Sequence, residues 1–246
     1  MTPRVIAIDW SGAASGAARK IWLAEVTAGR ITRLEDGRSR EQIAAHLLAE
    51  AARDPRLIIG FDFAFSFPAW FLREHGLADA PALWRLAARE AEGWLAACAP
   101  PFWGRPGKRR PALPADPDRF RRAERELASV AGIRPKSIFQ IGGAGAVGTG
   151  SLRGLPILGQ LHAAGFAIWP CTPPGWPLVV EIYPRLLTGP VTKSRATSRA
   201  DYLAARFPAL PGAILARAVG SEDAFDAAVS ALVMGAASDT PVKIDD

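Results

Sequence analysis

Apolar and polar positions follow two rhythms along this chain, continuous short runs and a 3.6-residue period, and each predicts a different element. The segment Arg4-Val-Ile-Ala-Ile-Asp9 is a short apolar run that ends in an acid and is followed by Ser11-Gly12. It predicts a buried strand running into a tight turn. Residues 20–26 and 30–34 flank Ala28-Gly29, the signature of a β-hairpin. Over 39–53 the apolar residues Ile43, Leu47 and Leu48 keep the helical period, with Glu41 and Gln42 in the first turn. Leu57-Ile-Ile-Gly-Phe-Asp62 predicts a second buried strand, again closed by an acid.

Residues 68 to about 135 break this alternation. A helical region runs through Trp84 and Trp94, a Pro/Arg/Gly-rich stretch covers 99–117, and a short helix is expected over 118–130. The composition of that stretch predicts an insertion, partly loop. Regular alternation resumes with 137–141 as a strand, a glycine-rich turn, a helix over 155–164 and a strand over 178–183. A loop over 184–198, a helix over 199–206 and a last helix over 221–234 complete the chain.

The candidate chemistry lies where strands end. Asp9 and Asp62 close two separate buried strands, and sites in open α/β sheets form at the carboxyl ends of strands. Glu181 sits within a third apolar strand, on the face shared by Val179 and Tyr183, so its carboxylate is expected in the same cleft. The last helix opens Ser221-Glu-Asp-Ala-Phe-Asp226, which puts Asp223 and Asp226 one turn apart. Each acid has a plainer reading: a turn residue for Asp9 or Asp62, a helix N-terminus for Asp223, an arginine partner such as Arg185 for Glu181. Their convergence argues otherwise, because clustered carboxylates repel unless a cation stands among them. Mg²⁺ and Mn²⁺ are the hard ions that such oxygen ligands suit.

These segments resemble a known family. Ile-Asp-Trp-Ser-Gly (8–12), Gly-Phe-Asp-Phe-Ala-Phe-Ser-Phe-Pro (60–68), Ser-Ile-Phe-Gln-Ile-Gly-Gly-Ala-Gly-Ala-Val-Gly (137–148), Val-Glu-Ile-Tyr-Pro (180–184) and Asp-Ala-Phe-Asp-Ala (223–227) are similar to the DUF429 family, predicted RNase H-like nucleases. The similarity spans nearly the whole chain with the motifs in order. It implies an RNase H-like domain in which Asp9, Asp62, Glu181, Asp223 and Asp226 are the site residues. The Asp-x-x-Asp helix also looks like that of Holliday-junction resolvases.

Gly143-Ala-Gly-Ala-Val-Gly148 matches the G-x-G-x-x-G of dinucleotide sites, but no acid follows about 20 residues on and the motif does not follow the first strand. A packed loop is expected there, its N–H groups standing with Lys136 and Ser137 to contact a substrate phosphate. Arg105, Lys108, Arg109, Arg110, Arg119, Arg121, Arg122 and Arg125 crowd one stretch beside Phe102 and Trp103, as single-stranded nucleic-acid binders do. The plainer reading is a solvated face in which Glu124 and Glu126 pair with some of them. The net charge of +6 agrees with a polyanionic partner without requiring one. Cys98 and Cys171, and the histidines 46, 75 and 162, have no metal-ligand spacing. No apolar stretch approaches the ~20 residues of a membrane-crossing helix and the start does not read as a signal peptide, so a cytoplasmic location is expected.

The expectation is therefore one α/β, RNase H-like domain over 1–246. It has a mixed five-stranded sheet flanked by helices and an insertion over 68–135 after the fourth strand. Its expected activity is metal-dependent phosphodiester hydrolysis, a nuclease using Mg²⁺ or Mn²⁺, with Asp9, Asp62 and Asp226 as ligands and Asp223 and Glu181 completing the site. Lys136, Ser137, Arg109, Arg110 and Arg122 are the expected substrate contacts. Two other readings stay open: a non-catalytic nucleic-acid- or protein-binding module, and an actin-like phosphotransferase, for which 246 residues leave little room.

Overall fold

The computed structural model describes residues 2–112, 119–127, 129–143 and 145–238. The first strand, β1 (Arg4–Asp9), is covered on both sides: Val5 through Ile8 are fully buried, which is why the run is apolar without alternation. It pairs antiparallel with β2 (Trp22–Thr27), and β2 with β3 (Arg30–Glu35). The hairpin turns through Ala28 and Gly29, both at positive φ (48° and 72°), the twist that two-residue hairpin loops favour. Helix α1 (Arg40–Arg53) starts on a capping box in which Ser39 and Gln42 bond reciprocally. It leads to β4 (Leu57–Phe61), parallel to β1.

Two helices, α2 (Ala69–Glu74) and α3 (Ala80–Ala97), follow, then a long irregular stretch that holds only the short α4 (Arg122–Glu126) among its described residues. Helix α5 (Gly148–Ala163) leads to β5 (Ala167–Trp169) and β6 (Leu178–Glu181), and α6 (Pro184–Thr188), α7 (Ala196–Arg206), α8 (Gly212–Gly220) and α9 (Glu222–Ser238) close the chain. The sheet order is β3-β2-β1-β4-β6-β5, with every pairing beyond the hairpin and β1–β2 parallel. Helices flank both faces. One core joins α1, α3 and α5 through Trp84, Phe61 and Phe65; the other joins α7, α8 and α9 through Leu203 and Phe225.

The sheet has six strands, where five were expected. Its extra edge strand is β5, too short at three residues for periodicity to reveal. Residues 137–141 do not form a strand; they make a turn with an isolated bridge from Gln140 to Trp103. The glycine-rich stretch instead feeds directly into α5, which begins seven residues before the expected helix. The expected loop over 184–198 contains α6, and α8 was not foreseen at all. Within 68–135, α3 is a core helix packed on α5, with Trp84 fully buried, so only the stretch after it is loop-like. The expected helix over 118–130 is the shorter α4, residues 118 and 128 lying outside the described set. Among the described residues no helix is long and apolar enough to cross a membrane.

The turn after β1 is seated on the start of α5. A Cβ on Gly12 would collide with the backbone of Thr149 and Gly150, and the Trp10 indole donates to Gly150 O at 3.0 Å. Gly12→Ala is therefore expected to cost about 2 kcal/mol of stability through overpacking against rigid backbone, measured by urea denaturation.

Candidate functional site

Register brings the first two acids together. Ile8 pairs with Phe61 on parallel strands, so Asp9 and Asp62 fall opposite one another one step beyond, and the Asp62 N–H donates to Ile8 O at 3.1 Å. Alternation then puts both on the sheet face of Val5, Ala7 and Ile58, the face that α9 covers. Helix α9 begins at that edge, its first turn capped by Ser221, whose hydroxyl accepts from Ala224 N–H at 3.3 Å. Asp226 lies one turn in and is buried, with Asp223 nearer the opening.

The electrostatics show how closely these groups feel one another. Burial, then the charges of Asp62, Asp226 and Asp223, hold the Asp9 carboxyl well above the usual carboxylate range, against the opposing pull of Lys193. Asp62 is pushed up to about 7 by burial and by Asp226, again opposed by Lys193. Burial also raises Asp226 and Asp223. Neither Asp9 nor Asp62 has a hydrogen-bond donor among the described residues. One oxygen of Asp226, Oδ1, is buried with no partner.

Lys193 was missed in the sequence, being one lysine in a loop with no distinguishing spacing. Its ammonium contacts Asp226 Oδ2, and the side chain is largely buried. Two arginines hold its loop. Arg185 donates to Gly189 O (3.2 Å) and Val191 O (2.8 Å), while buried Arg199 donates to Lys193 O and to Val219 O. The cation is thus delivered by a built loop.

Glu181 leaves the sheet on the other face, yet its charge still helps to raise Asp62. It pairs with Phe61, so it extends toward the α3–α5 face, opposite to Asp9 and Asp62; the expectation that its face is theirs is corrected by this register. Its two oxygens accept from Arg121 Nη1 and Nη2 at 2.7 and 2.5 Å, and Oε2 also accepts from Phe65 N–H at 2.9 Å. Arg121 in turn donates through Nε and its backbone N–H to Glu124 at 2.6 and 2.5 Å. An arginine partner for Glu181 is the plainer reading of that acid, but the partner is Arg121 and not Arg185.

Arg121, Glu124 and Glu181 form one wall of a cavity of about 390 Å³ that reaches Asp62 and is also lined by Lys136. The other expected contacts lie elsewhere. Ser137 is buried, its hydroxyl donating to Arg119 O at 2.6 Å and accepting from Phe139 N–H, so it does not present itself to a ligand. Arg109, Arg110 and Arg122 are exposed and outside this lining, with Arg122 3.5 Å from Glu126. Phe102, expected to stack on bases, is buried among Phe67, Trp94 and Phe139.

Comparison of the chain with protein-family models, with curated proteins and with solved structures finds no match. The site must speak for itself. As they stand, no three His, Cys, Asp or Glu side chains among the described residues enclose a point that a metal could occupy. The donors present are those a hard divalent cation takes: carboxylate oxygens only, raised by burial and then by one another's charges, with Asp226 Oδ1 unpartnered among the described residues.

Two outcomes follow. A carboxyl held above its unfolded value costs nothing below about pH 3, where both states are protonated. The penalty grows as pH rises toward the folded value, about 7 for Asp62. In metal-free buffer Asp62→Asn is therefore expected to match the parent near pH 3 and to exceed it at pH 8 by roughly 4 kcal/mol, about three tenfold steps in proton affinity at about 1.4 kcal/mol each. Denaturation at both pH values checks this. Lys193→Met, by contrast, strands Asp226 and is expected to cost about 3 kcal/mol at pH 8 in the same measurement.

Proposed function

We propose that this chain is a divalent-cation-dependent phosphodiester hydrolase acting on nucleic acid, built on an RNase H-like sheet as in the DUF429 family it resembles. The observation that carries this reading is the convergence of Asp9, Asp62, Asp223 and Asp226 at one sheet edge, with their charges raising one another's pKa. The order strand, hairpin, helix, parallel strand supports the fold reading. Exposed Arg105, Lys108, Arg109, Arg110 and Arg125 would supply cationic surface for a polyanion in this reading.

In this reading Asp9, Asp62 and Asp226 Oδ1 would hold Mg²⁺ or Mn²⁺, with Asp223 at the opening. Such an ion supplies Lewis acidity and a water activated for attack on phosphorus. Lys193 orients Asp226 by holding its other oxygen and opposes the upward push that burial gives its carboxyl. Arg40 fixes the loop behind Asp9 by donating to Ser11 O (2.6 Å) and Ala13 O (2.7 Å), and Arg153 does the same at Gly12 O. The acid at the end of β1 is thereby held from both sides, as a preorganised site requires.

One observation favours a second reading, a non-catalytic binding module: Lys193 already gives Asp226 a cation without any metal. The two are separated by incubating labelled single-stranded, duplex and branched nucleic acids with Mg²⁺ or Mn²⁺. The hydrolase reading expects cleavage that Asp9→Asn lowers at least ~10²-fold, since even outer partners of a metal site cost about 10–100-fold when lost. A variant as active as the parent removes the site assignment, and salt-sensitive binding indifferent to metal favours the module.

A further inference from the structure

The cavity beside Asp62 has a composition of its own. Asp62, Ile182 and Tyr183 are in its lining, which is mostly apolar. Ile133 and Val147, two of the few large apolar side chains left exposed on this protein, both line it. Exposed Arg134 and Lys136 stand beside Ile133 on the same wall. An apolar hollow with Arg134 and Lys136 on its lining suits an amphipathic anion, its apolar body inside and its phosphate between those cations and the divalent ion that Asp62 would help to hold in the hydrolase reading.

The wall is fixed rather than a loose flap. Arg121 is largely buried and spans Glu181 on β6 and Glu124 on α4, while Glu181 also holds the chain after β4 through Phe65 N–H. The guanidinium thus ties the α4 segment to β6, bidentate on Glu181 in the geometry that gives Arg–carboxylate pairs their strength, and Glu181 adds the chain after β4 as a third segment. The opposite wall, Gly145 to Val147 with Gly150, rests on Trp10 through the indole bond to Gly150 O. A hollow of about 390 Å³ between two such walls admits one compact organic group and excludes a duplex.

The geometry points to a nucleoside-binding subsite: the cavity seats the nucleoside of a single nucleotide unit whose phosphate lies at Asp62. This rests on the phosphodiesterase reading for its chemistry, and it narrows the substrate to an ester with one unpaired nucleoside, whether a small nucleotide ester or the end of a strand. Glu181 is then a positioning residue, acting through Arg121 on the cavity wall.

Calorimetry tests the subsite without turnover. Thymidine 5′-monophosphate is expected to bind at least tenfold more tightly than ribose 5-phosphate, and Ile133→Glu, at an exposed position, is expected to abolish that difference. Equal affinities for the two probes, or an unchanged difference in Ile133→Glu, overturn the subsite. Turnover with Mn²⁺ then compares the p-nitrophenyl ester of thymidine 5′-phosphate with methyl p-nitrophenyl phosphate, and the nucleoside ester is expected to show at least a tenfold lower KM. Cleavage of both with the same KM overturns the subsite while leaving the hydrolase reading in place. Nucleotide binding without cleavage of either ester keeps the subsite and removes the hydrolase. A short single-stranded oligonucleotide labelled at its end or internally distinguishes strand ends from small esters as the source of the nucleoside.

Discussion

Everything at this sheet edge depends on how four like charges are kept from driving one another apart. Asp9 and Asp62 are neighbours because two parallel strands are in register, and that register is imposed by cores on both faces. The fold therefore cannot relieve their repulsion by letting a strand slip, since a one-residue shift would turn the apolar set of β1 or β4 to the wrong face. What remains is protonation or a cation. Asp62, pushed up to about 7, shows the first; Lys193 on Asp226 shows the second.

The surroundings are arranged around that constraint. The loop after Asp9 is held by Arg40, Arg153 and the Trp10 indole, each donating to backbone carbonyls, with Arg153 also paired to Glu92 and none of them bonded to the aspartates. Arg185 and Arg199 do the same for the loop that carries Lys193. These arginines order the chain through carbonyls, Arg185 offsetting Asp226 only through its charge, and Lys193 is the cation paired directly with the cluster among the described residues. Glu181 has the opposite fate: Arg121 satisfies it fully, and it serves as an anchor for the cavity wall.

The parts legible in sequence were those governed by local period or by chain direction. Buried β1 and β4 declared themselves as apolar runs, and their terminal acids followed from the rule that sites form at strand ends. The hairpin at Ala28-Gly29 and the cap at Ser39 were readable for similar reasons. Glu181 shows the limit. Its alternation with Val179 was read correctly, but which sheet face that pair shares with Asp62 depends on the register between β4 and β6, a long-range fact. Lys193 and Arg121 illustrate the same point from the cationic side. Each became significant only when a loop with no periodicity was folded onto a distant strand or helix. Ser137 and Phe102 were assigned to ligands by residue type, and both turned out to be occupied inside the fold.

The central claim is that the aspartate cluster takes a divalent cation alongside Lys193. Anomalous diffraction from a crystal soaked with Mn²⁺ tests it most directly. The account predicts a Mn²⁺ peak bounded by Asp9, Asp62 and Asp226, with Asp226 Oδ1 among its ligands. Density without such a peak, the aspartates still apart and Lys193 the sole cation at Asp226, would contradict it.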